Sequence, residues 1–349
     1  MKNISKILAG ILFSALVMAP SYAGELAVSG GATATYSTNG DDSSAGKNLG
    51  ISNEIDFTAN GELDNGYTWK YQVQLDGATT ANDDTRLELG TDYGTVGFYV
   101  SEGGMSAELH GVGAMGPGFD YVSPTSFTNG YDVDGYSNIQ YHLPSGLLPF
   151  GIGAKLGYVP NLSATAMLSA KDSVAASAIA NDNVGRNLTA LQLSAAPIDG
   201  LSLKGDVQAT DDESGVTAST ETGISGNVGG SYTSGPLSIG VVVGANQAAV
   251  ASGEVTYYEN QYVGVQYDIN DSLSVSYNID ESLQTQRTAV GAGATTGNKV
   301  TADMKQKSIQ VAYTMGGATI GITNVEVDNS DYTIGKEESQ TVFSLGISF

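Results

Sequence analysis

The 349-residue chain has no cysteine and only two histidines, His110 and His142. Without cysteine it can form neither a disulfide bond nor a thiolate metal site. It also has no Gly-x-Ser-x-Gly nucleophile elbow, no HExxH zinc motif and no phosphate-binding glycine-rich loop ahead of a helix. The sequence therefore predicts a protein that is not an enzyme and that holds no cofactor and no metal.

Positive charge is scarce. The chain has 14 lysines and arginines against 37 aspartates and glutamates, which gives a formal net charge of −23. A chain this acidic repels nucleic acid and concentrates cations around itself. We therefore expect no nucleic-acid partner.

Long apolar runs are absent except at the start, where ILAGILFSALVM (residues 7–18) follows Lys2 and Lys6. The stretch Ser21-Tyr22-Ala23 puts small residues where signal peptidase reads them. Residues 1–23 are thus predicted to be a secretory signal peptide, and residues 24–349 the mature domain. The alternative, a membrane-anchoring helix, requires about 20 apolar residues. Because no later stretch reaches that length, only a closed β-barrel would let the mature chain cross a bilayer.

The mature chain shows instead an alternation of period two. In QTVFSLGISF (340–349), Phe343, Leu345, Ile347 and Phe349 share one face of a strand, and small polar residues occupy the other. GYTWKYQVQLDG (66–77) and SLSVSYNID (272–280) repeat the pattern. About 16 such segments occur, most of roughly 9 to 11 residues, which is the length that a tilted strand needs to cross a bilayer.

Short turn sequences and longer polar stretches alternate between these segments. The turns are Asp64-Asn65-Gly66, Asp92-Tyr93-Gly94, Pro144-Ser145-Gly146, Pro197-Ile198-Asp199-Gly200, Ser234-Gly235-Pro236, Asn270-Asp271-Ser272 and Gly316-Gly317. The longer stretches include residues 38–48, 209–221 and 282–303. Seven tight turns at one edge of a sheet and eight loops at the other would join 16 strands.

The parity of the charged residues predicts which face meets lipid. The apolar register holds almost no charge, whereas the other register carries several charged residues, among them Lys70, Arg86, Lys155, Lys204 and Asp206. A basic side chain on a lipid face costs about 2 to 4 kcal/mol at the midplane, so the apolar register is predicted to face lipid. The polar register would strand many unpaired groups in a dry core, so we expect water there. A soluble β-sandwich is the alternative, but it does not explain the asymmetry between turns and loops.

At this point the whole mature chain resembles the general diffusion porins of Gram-negative outer membranes. The signal peptide, the alternating segments, the turns opposite the loops, and Phe349 after Gly346-Ile347-Ser348 carry the resemblance. It implies an all-β fold: a 16-stranded antiparallel transmembrane β-barrel with short periplasmic turns, long extracellular loops and an inward-folded third loop. It also implies a homotrimer surrounded by lipid bilayer and lipopolysaccharide, with Phe349 as the signal read by the barrel-assembly machinery. The segment DVDGYSNIQYHLP (132–144) is similar to the corresponding stretch of alphaproteobacterial-type porins.

The third long loop is the predicted constriction, at residues 102–136. Its acidic residues are Glu102, Glu108, Asp120, Asp132 and Asp134, and basic residues of the polar register on the wall are Lys70, Arg86, Lys155 and Lys204. The resemblance implies that the two groups face each other across a water-filled channel for small hydrophilic solutes and ions. Because acids outnumber bases, we expect a moderate preference for cations. A loop lying over the surface as a lid is the alternative.

Two other functions stay open from the sequence. A solute-specific channel would need a file of aromatic and charged groups along the lumen, and Tyr99, Tyr131 and Tyr136 are few for that purpose. A secreted β adhesin without a pore would fit the abundance of serine, threonine and glycine, but the chain lacks the short regular repeat of such solenoids.

Overall fold

The computed structural model describes residues 25–39, 48–76, 84–107, 112–116, 130–162, 187–210, 222–247, 255–287 and 299–349. The predicted signal peptide lies outside these residues, as do two of the predicted constriction acids, Glu108 and Asp120. Among the described residues, no helix is long and apolar enough to cross a membrane.

Sixteen antiparallel strands close into one barrel, in which each strand pairs with its neighbours in sequence and β1 pairs with β16. The strands are β1 Glu25–Asn39, β2 Asn48–Glu62, β3 Thr68–Asp76, β4 Thr85–Thr91, β5 Gly94–Val100, β6 Asn138–His142, β7 Gly153–Val159, β8 Leu188–Ala195, β9 Leu201–Thr210, β10 Ile224–Ser234, β11 Leu237–Gln247, β12 Val255–Asn270, β13 Leu273–Arg287, β14 Lys299–Met315, β15 Ala318–Asp328 and β16 Glu338–Ser348. This confirms the predicted fold class.

The two edges of the barrel differ as predicted. All seven turn sequences identified above connect an even-numbered strand to the next odd-numbered one, so they share one edge. Glycines with positive φ complete several of these turns, including Gly66, Gly146 and Gly200. The eight longer connections lie at the opposite edge, with the third of them between β5 and β6.

The outer face of the barrel is an apolar belt. Its exposed side chains include Leu156, Leu193, Val207, Ile239, Val265, Ile309, Ile320 and Leu345. The positions between them point inward and are largely polar, with Gln140, Gln192 and Gln208 almost fully buried there. Period two along the sequence thus becomes an apolar outside and a polar inside.

The inner face is not polar along its whole length, because it becomes partly apolar near the long-loop edge. Strands β12, β13 and β14 have 16, 15 and 17 residues, more than a tilted strand needs to cross hydrocarbon. At their long-loop ends the outward positions carry Glu259, Glu281 and Lys305, while the inward positions include the buried Tyr262 and Met304. Charged side chains on the outer face favour water, so these strand ends extend beyond the apolar belt. There the outer face is charged and the inner face is partly apolar.

Among the described residues, two apolar clusters lie inside the barrel. The first, cluster A, consists of Met105, Val133, Val159, Leu188 and Ala190, with Tyr131, Tyr136 and Leu162 packed against it. The second, cluster B, consists of Val242, Tyr262, Met304, Val325 and Val327, with Tyr332 packed against it. Each cluster combines inward-facing strand residues with residues of a loop.

The chain terminus closes the barrel. The Gly30 N–H donates to the Phe349 carbonyl at 3.0 Å, and the Phe349 N–H donates to the Gly30 carbonyl at 3.0 Å. A Cβ atom at Gly30 would lie 2.4 Å from the Glu54 carbonyl oxygen and 3.3 Å from Cζ of Phe349. Glycine therefore lets the terminal residue pair with β1, and the predicted closure of the last strand on the first is confirmed.

Candidate pore constriction

The third loop folds into the barrel, as predicted, and its described parts contact both sides of the inner wall. Residues 101–107 and 130–137 lie against strands β6 to β10, and residues 112–116 lie against strands β11 to β15. A loop that covered only the outer surface could not make these contacts. The lid alternative is therefore wrong for the described residues.

Asp132 holds the two arms of this loop together. One carboxylate oxygen accepts the Met105 N–H at 2.7 Å, and the other accepts the Ser106 N–H at 2.8 Å. Met105 is fully buried in cluster A, so its N–H has lost water and needs this acceptor. Bonds to a charged acceptor are stronger than those between neutral groups. Asp132 therefore anchors the loop.

Asp206, on β9, attaches the same loop to the wall. Its carboxylate accepts the Ala107 N–H at 2.7 Å and Asn227 Nδ2 at 3.1 Å. Asn227 Nδ2 also donates to Ser106 Oγ at 3.2 Å. Three successive backbone N–H groups, from residue 105 to residue 107, are thus bound by two carboxylates.

Uncharged amides of the inner wall bind the loop carbonyl groups. Gln192 Nε2 donates to the Met105 carbonyl at 2.7 Å, and Asn138 Nδ2 donates to the Glu102 carbonyl at 3.0 Å. Gln140 Nε2 donates to the Gly103 carbonyl. The N–H groups of residues 105–107 and the carbonyl groups of residues 102, 103 and 105 thus have protein partners in place of water.

The middle of the loop is attached to the far wall in the same way. The Ala114 N–H donates to Ser276 Oγ at 2.9 Å, the Met115 N–H donates to Gln310 Oε1 at 2.7 Å, and Asn278 Nδ2 donates to the Val112 carbonyl at 2.6 Å. These partners belong to β13 and β14. The loop therefore narrows the lumen from side to side.

Glycines on the inner wall make room for this approach. A Cβ atom at Gly264 would lie 2.2 Å from the Val112 carbonyl oxygen, and one at Gly240 would lie 2.7 Å from Cγ2 of Val112. On the opposite side, a Cβ atom at Gly157 would lie 2.7 Å from Sδ of Met105. Only glycine leaves space for the loop at these positions.

The cross-strand register points all four predicted wall cations inward. Lys70 is opposite Glu88, Arg86 is opposite Gln72, Lys155 is opposite His142, and Lys204 is opposite Ser194. Among the described residues, Arg86 alone of the four forms an ion pair, with Glu102 at 3.5 Å. These cations all lie between β3 and β9, and the described inward positions of the other strands hold no lysine or arginine.

Asp134 is the loop carboxyl with the most perturbed environment. It lies in the short 3₁₀ turn Val133–Gly135, beside Asp132. A Cβ atom at Gly104 would lie 2.9 Å from Asp134 Oδ2. Burial raises the pKa of the Asp134 carboxyl to about 6, and the Asp132 carboxylate adds to the rise. This group therefore gains its charge near neutral pH.

Solved structures share this architecture. OmpT of Vibrio cholerae, an outer membrane protein in its trimer form, superposes with a TM-score of 0.64 at 15% identity, covering 94% of this chain and 100% of that one. A porin superposes at 0.62 with 13% identity, covering 93% and 100% of the two chains. An anion-selective porin from Comamonas acidovorans also gives 0.62, at 12% identity and with the same coverage. The fold is that of the porins. No protein-family model and no curated protein matches the chain.

In this porin fold some of the predicted acids and bases come together. Glu102 and Arg86 are in direct contact, and the turn that carries Asp134 contacts β7, the strand of Lys155. That the acids and the bases face each other across a water-filled channel stays a prediction. The roles of Glu108 and Asp120 stay predictions, because both residues lie outside the described ranges.

Sequence reasoning missed the residues that hold the loop. Asp206, Gln192, Asn138, Ser276 and Gln310 all have the inward parity that the pattern assigned to them. Parity identifies such residues as facing the lumen, but it does not tell which of them meet the loop. The available signal was an uncharged amide, as in Gln192, Asn138 and Gln310, at wall positions that were expected to face water.

Proposed function

We propose that this protein is a porin of the Gram-negative outer membrane, through which small hydrophilic solutes and ions diffuse passively. The observation that carries the proposal is the division of the closed sheet into an apolar outside and a polar inside that is crossed by an anchored loop. Hydrocarbon accepts only the first face, and the second requires water because unpaired buried polar groups are costly. The porins among the similar structures support a channel rather than an enzyme.

We further propose a moderate preference for cations. The inward-facing strand carboxylates are more numerous than the four wall cations; they include Glu54, Asp56, Glu88, Asp206 and Asp268. Carboxylates in a pore favour cation entry. Glu102, Asp132 and Asp134 add to the negative side at the loop, and Glu108 and Asp120 are predicted to do the same. The fold does not decide this property, since the similar Comamonas acidovorans porin is anion-selective.

The reversal potential of the refolded protein in a planar bilayer under a salt gradient tests both proposals. We expect stepwise conductance and a potential of the sign given by cation selectivity. An anion-selective potential would leave the channel in place and assign its filter to Lys155 and Lys204. Folded protein without conductance would refute the channel and favour the adhesin.

The mature protein is proposed to begin at Gly24 and to assemble through its last strand. Pairing between Phe349 and Gly30 at the closing seam supports a role for the terminal residue in assembly. Phe349→Ser should therefore lower the yield of assembled, heat-modifiable barrel in cells, with the same conductance in each surviving channel. A normal yield would contradict the proposed recognition by the barrel-assembly machinery.

The barrel is proposed to associate as a trimer within the bilayer and its lipopolysaccharide leaflet. Gly30, Ala32 and Ala34 give the outer face of β1 small side chains, which permit close approach of another barrel. The trimer form of the similar Vibrio cholerae protein supports the same assembly. Cross-linking of the purified protein in mild detergent tests it.

A further inference from the structure

The connection between β15 and β16, residues 329–337, also folds inward. It lies at the long-loop edge, and Tyr332 packs against cluster B on the inner side of the wall. The Tyr332 ring centroid lies 5.4 Å from that of Tyr258 on β12. From β15 to β12 there are three strand spacings, or about 14 Å along the wall. The loop therefore extends over the inner face of β12 to β14.

The hydroxyl of Tyr332 is bound at its far end. Its oxygen lies 2.7 Å from Ser282 Oγ on β13, and Ser282 Oγ donates to Asn260 Oδ1 at 2.6 Å. A serine hydroxyl has one proton, so the Tyr332 hydroxyl is the donor to Ser282. Packing and hydrogen bonding thus fix the ring against two strands that are distant from the loop in the sequence.

The backbone of this loop is held in an unfavourable conformation. Asn329, Asp331 and Tyr332 have φ values of 54°, 53° and 56°, in the left-handed region. Asparagine and aspartate tolerate this region, but a bulky side chain such as tyrosine rarely occupies it. Such a conformation persists only when its surroundings impose it.

Side chains around the loop supply that constraint. Asn329 Oδ1 accepts the Gly335 N–H at 2.9 Å, and Asn329 Nδ2 donates to the Asp303 carbonyl at 2.8 Å. Lys336 pairs with Asp331 and, at 3.1 Å, with the buried carboxylate of Glu338. Hydrogen bonds and ion pairs thus hold both ends of the loop, while Tyr332 at its centre packs inward against cluster B.

The two apolar clusters on the inner wall each bind a loop. In cluster A, Met105 and Val133 of the third loop pack against the wall. In cluster B, Tyr332 of the 329–337 loop packs against the wall in the same way. We propose that Tyr332 is a second size-determining residue of the channel, holding the 329–337 loop across the outer mouth. This inference rests on the channel proposed above.

Single-channel conductance and liposome swelling with sugars of increasing mass test the inference. Tyr332→Ala should raise the ratio of variant to wild-type conductance above one and admit sugars that the wild type excludes. Tyr332→Phe keeps the ring but loses the hydrogen bond to Ser282, so it should raise the conductance ratio less than Tyr332→Ala does. Ile334→Ala changes an exposed side chain of the same loop and is the control, which should leave the conductance ratio at one.

A second test uses the absence of cysteine from the chain. Tyr332→Cys should conduct more than the wild type, and a bulky thiol reagent should then reduce its current. Ile334→Cys is the matched control and should keep its current after the same reagent. Heat-modifiable migration would establish that each variant is folded.

The outcomes separate the two proposals. A conducting wild type would overturn the second constriction alone if Tyr332→Ala and unlabelled Tyr332→Cys show wild-type conductance and sugar exclusion and the thiol reagent leaves the Tyr332→Cys current unchanged. A folded wild type without conductance would overturn the channel and, with it, the role of Tyr332.

Discussion

Asp132→Asn should loosen the third loop without removing any packing. The aspartate uses both oxygens as acceptors for backbone N–H groups, at 2.7 Å and 2.8 Å. Asparagine retains one oxygen and presents an NH₂ group in place of the other, so one N–H loses its acceptor and meets a second donor. A hydrogen bond to a charged group contributes about 1.5 to 3 kcal/mol. Local detachment of residues 105–106 should therefore become about 10 to 150 times more frequent.

Asp134→Asn is the matched control, because it removes the same charge two residues away. Asp134 lies beside Asp132, and among the described residues it forms no hydrogen bond to the 101–107 arm. The control variant should shift the reversal potential while its open-channel current stays as quiet as that of the wild type.

The assay is the open-channel current noise of each variant in a planar bilayer, recorded together with its reversal potential. We expect excess current noise or brief closures in Asp132→Asn only. The loop should remain inside the barrel, because Gln192 and Asp206 still bind Met105 and Ala107. Equal noise in wild type and Asp132→Asn would refute the anchoring role, and equal excess noise in both variants would assign the effect to charge.

Three further predictions concern the same lumen. Gly264→Ala should displace the third loop, since its Cβ atom would lie 2.2 Å from a backbone oxygen, and should change the conductance; Gly205→Ala, on the outer face with an ordinary nearest contact of 3.4 Å, should not. Cation preference should weaken as the pH falls through about 6, where Asp134 becomes protonated, and this step should be absent from Asp134→Asn. Because the pKa of Asp134 is raised in the folded protein, its protonation stabilises the fold at low pH, and this contribution is lost as the pH rises through about 6. Lys155→Gln should increase cation preference, whereas the outward-facing Lys305→Gln should leave the reversal potential unchanged.

The sequence by itself determined the barrel, because its signals are local and repeated. Alternation of period two assigned each side chain to one face, as in Phe343 to Phe349, and turn residues such as Asn65-Gly66 and Gly316-Gly317 set where strands end. These features depend on residues within about a dozen positions of one another, so the sequence alone contains the information that sets them.

Only the tertiary structure decided what the inward residues do. Asp132 binds N–H groups 27 and 26 residues away, Asp206 binds one 99 residues away, and Gln310 binds one 195 residues away. Parity predicts which face of the sheet each of these side chains occupies, but it does not predict the hydrogen-bond partner. The partner is set by the closure of the barrel and by the path of the loop inside it. Burial in the inner clusters is also decided by the tertiary structure. Tyr262 and Met304 have the parity of wall residues that face water, yet they are buried because Tyr332 and the other residues of cluster B pack around them.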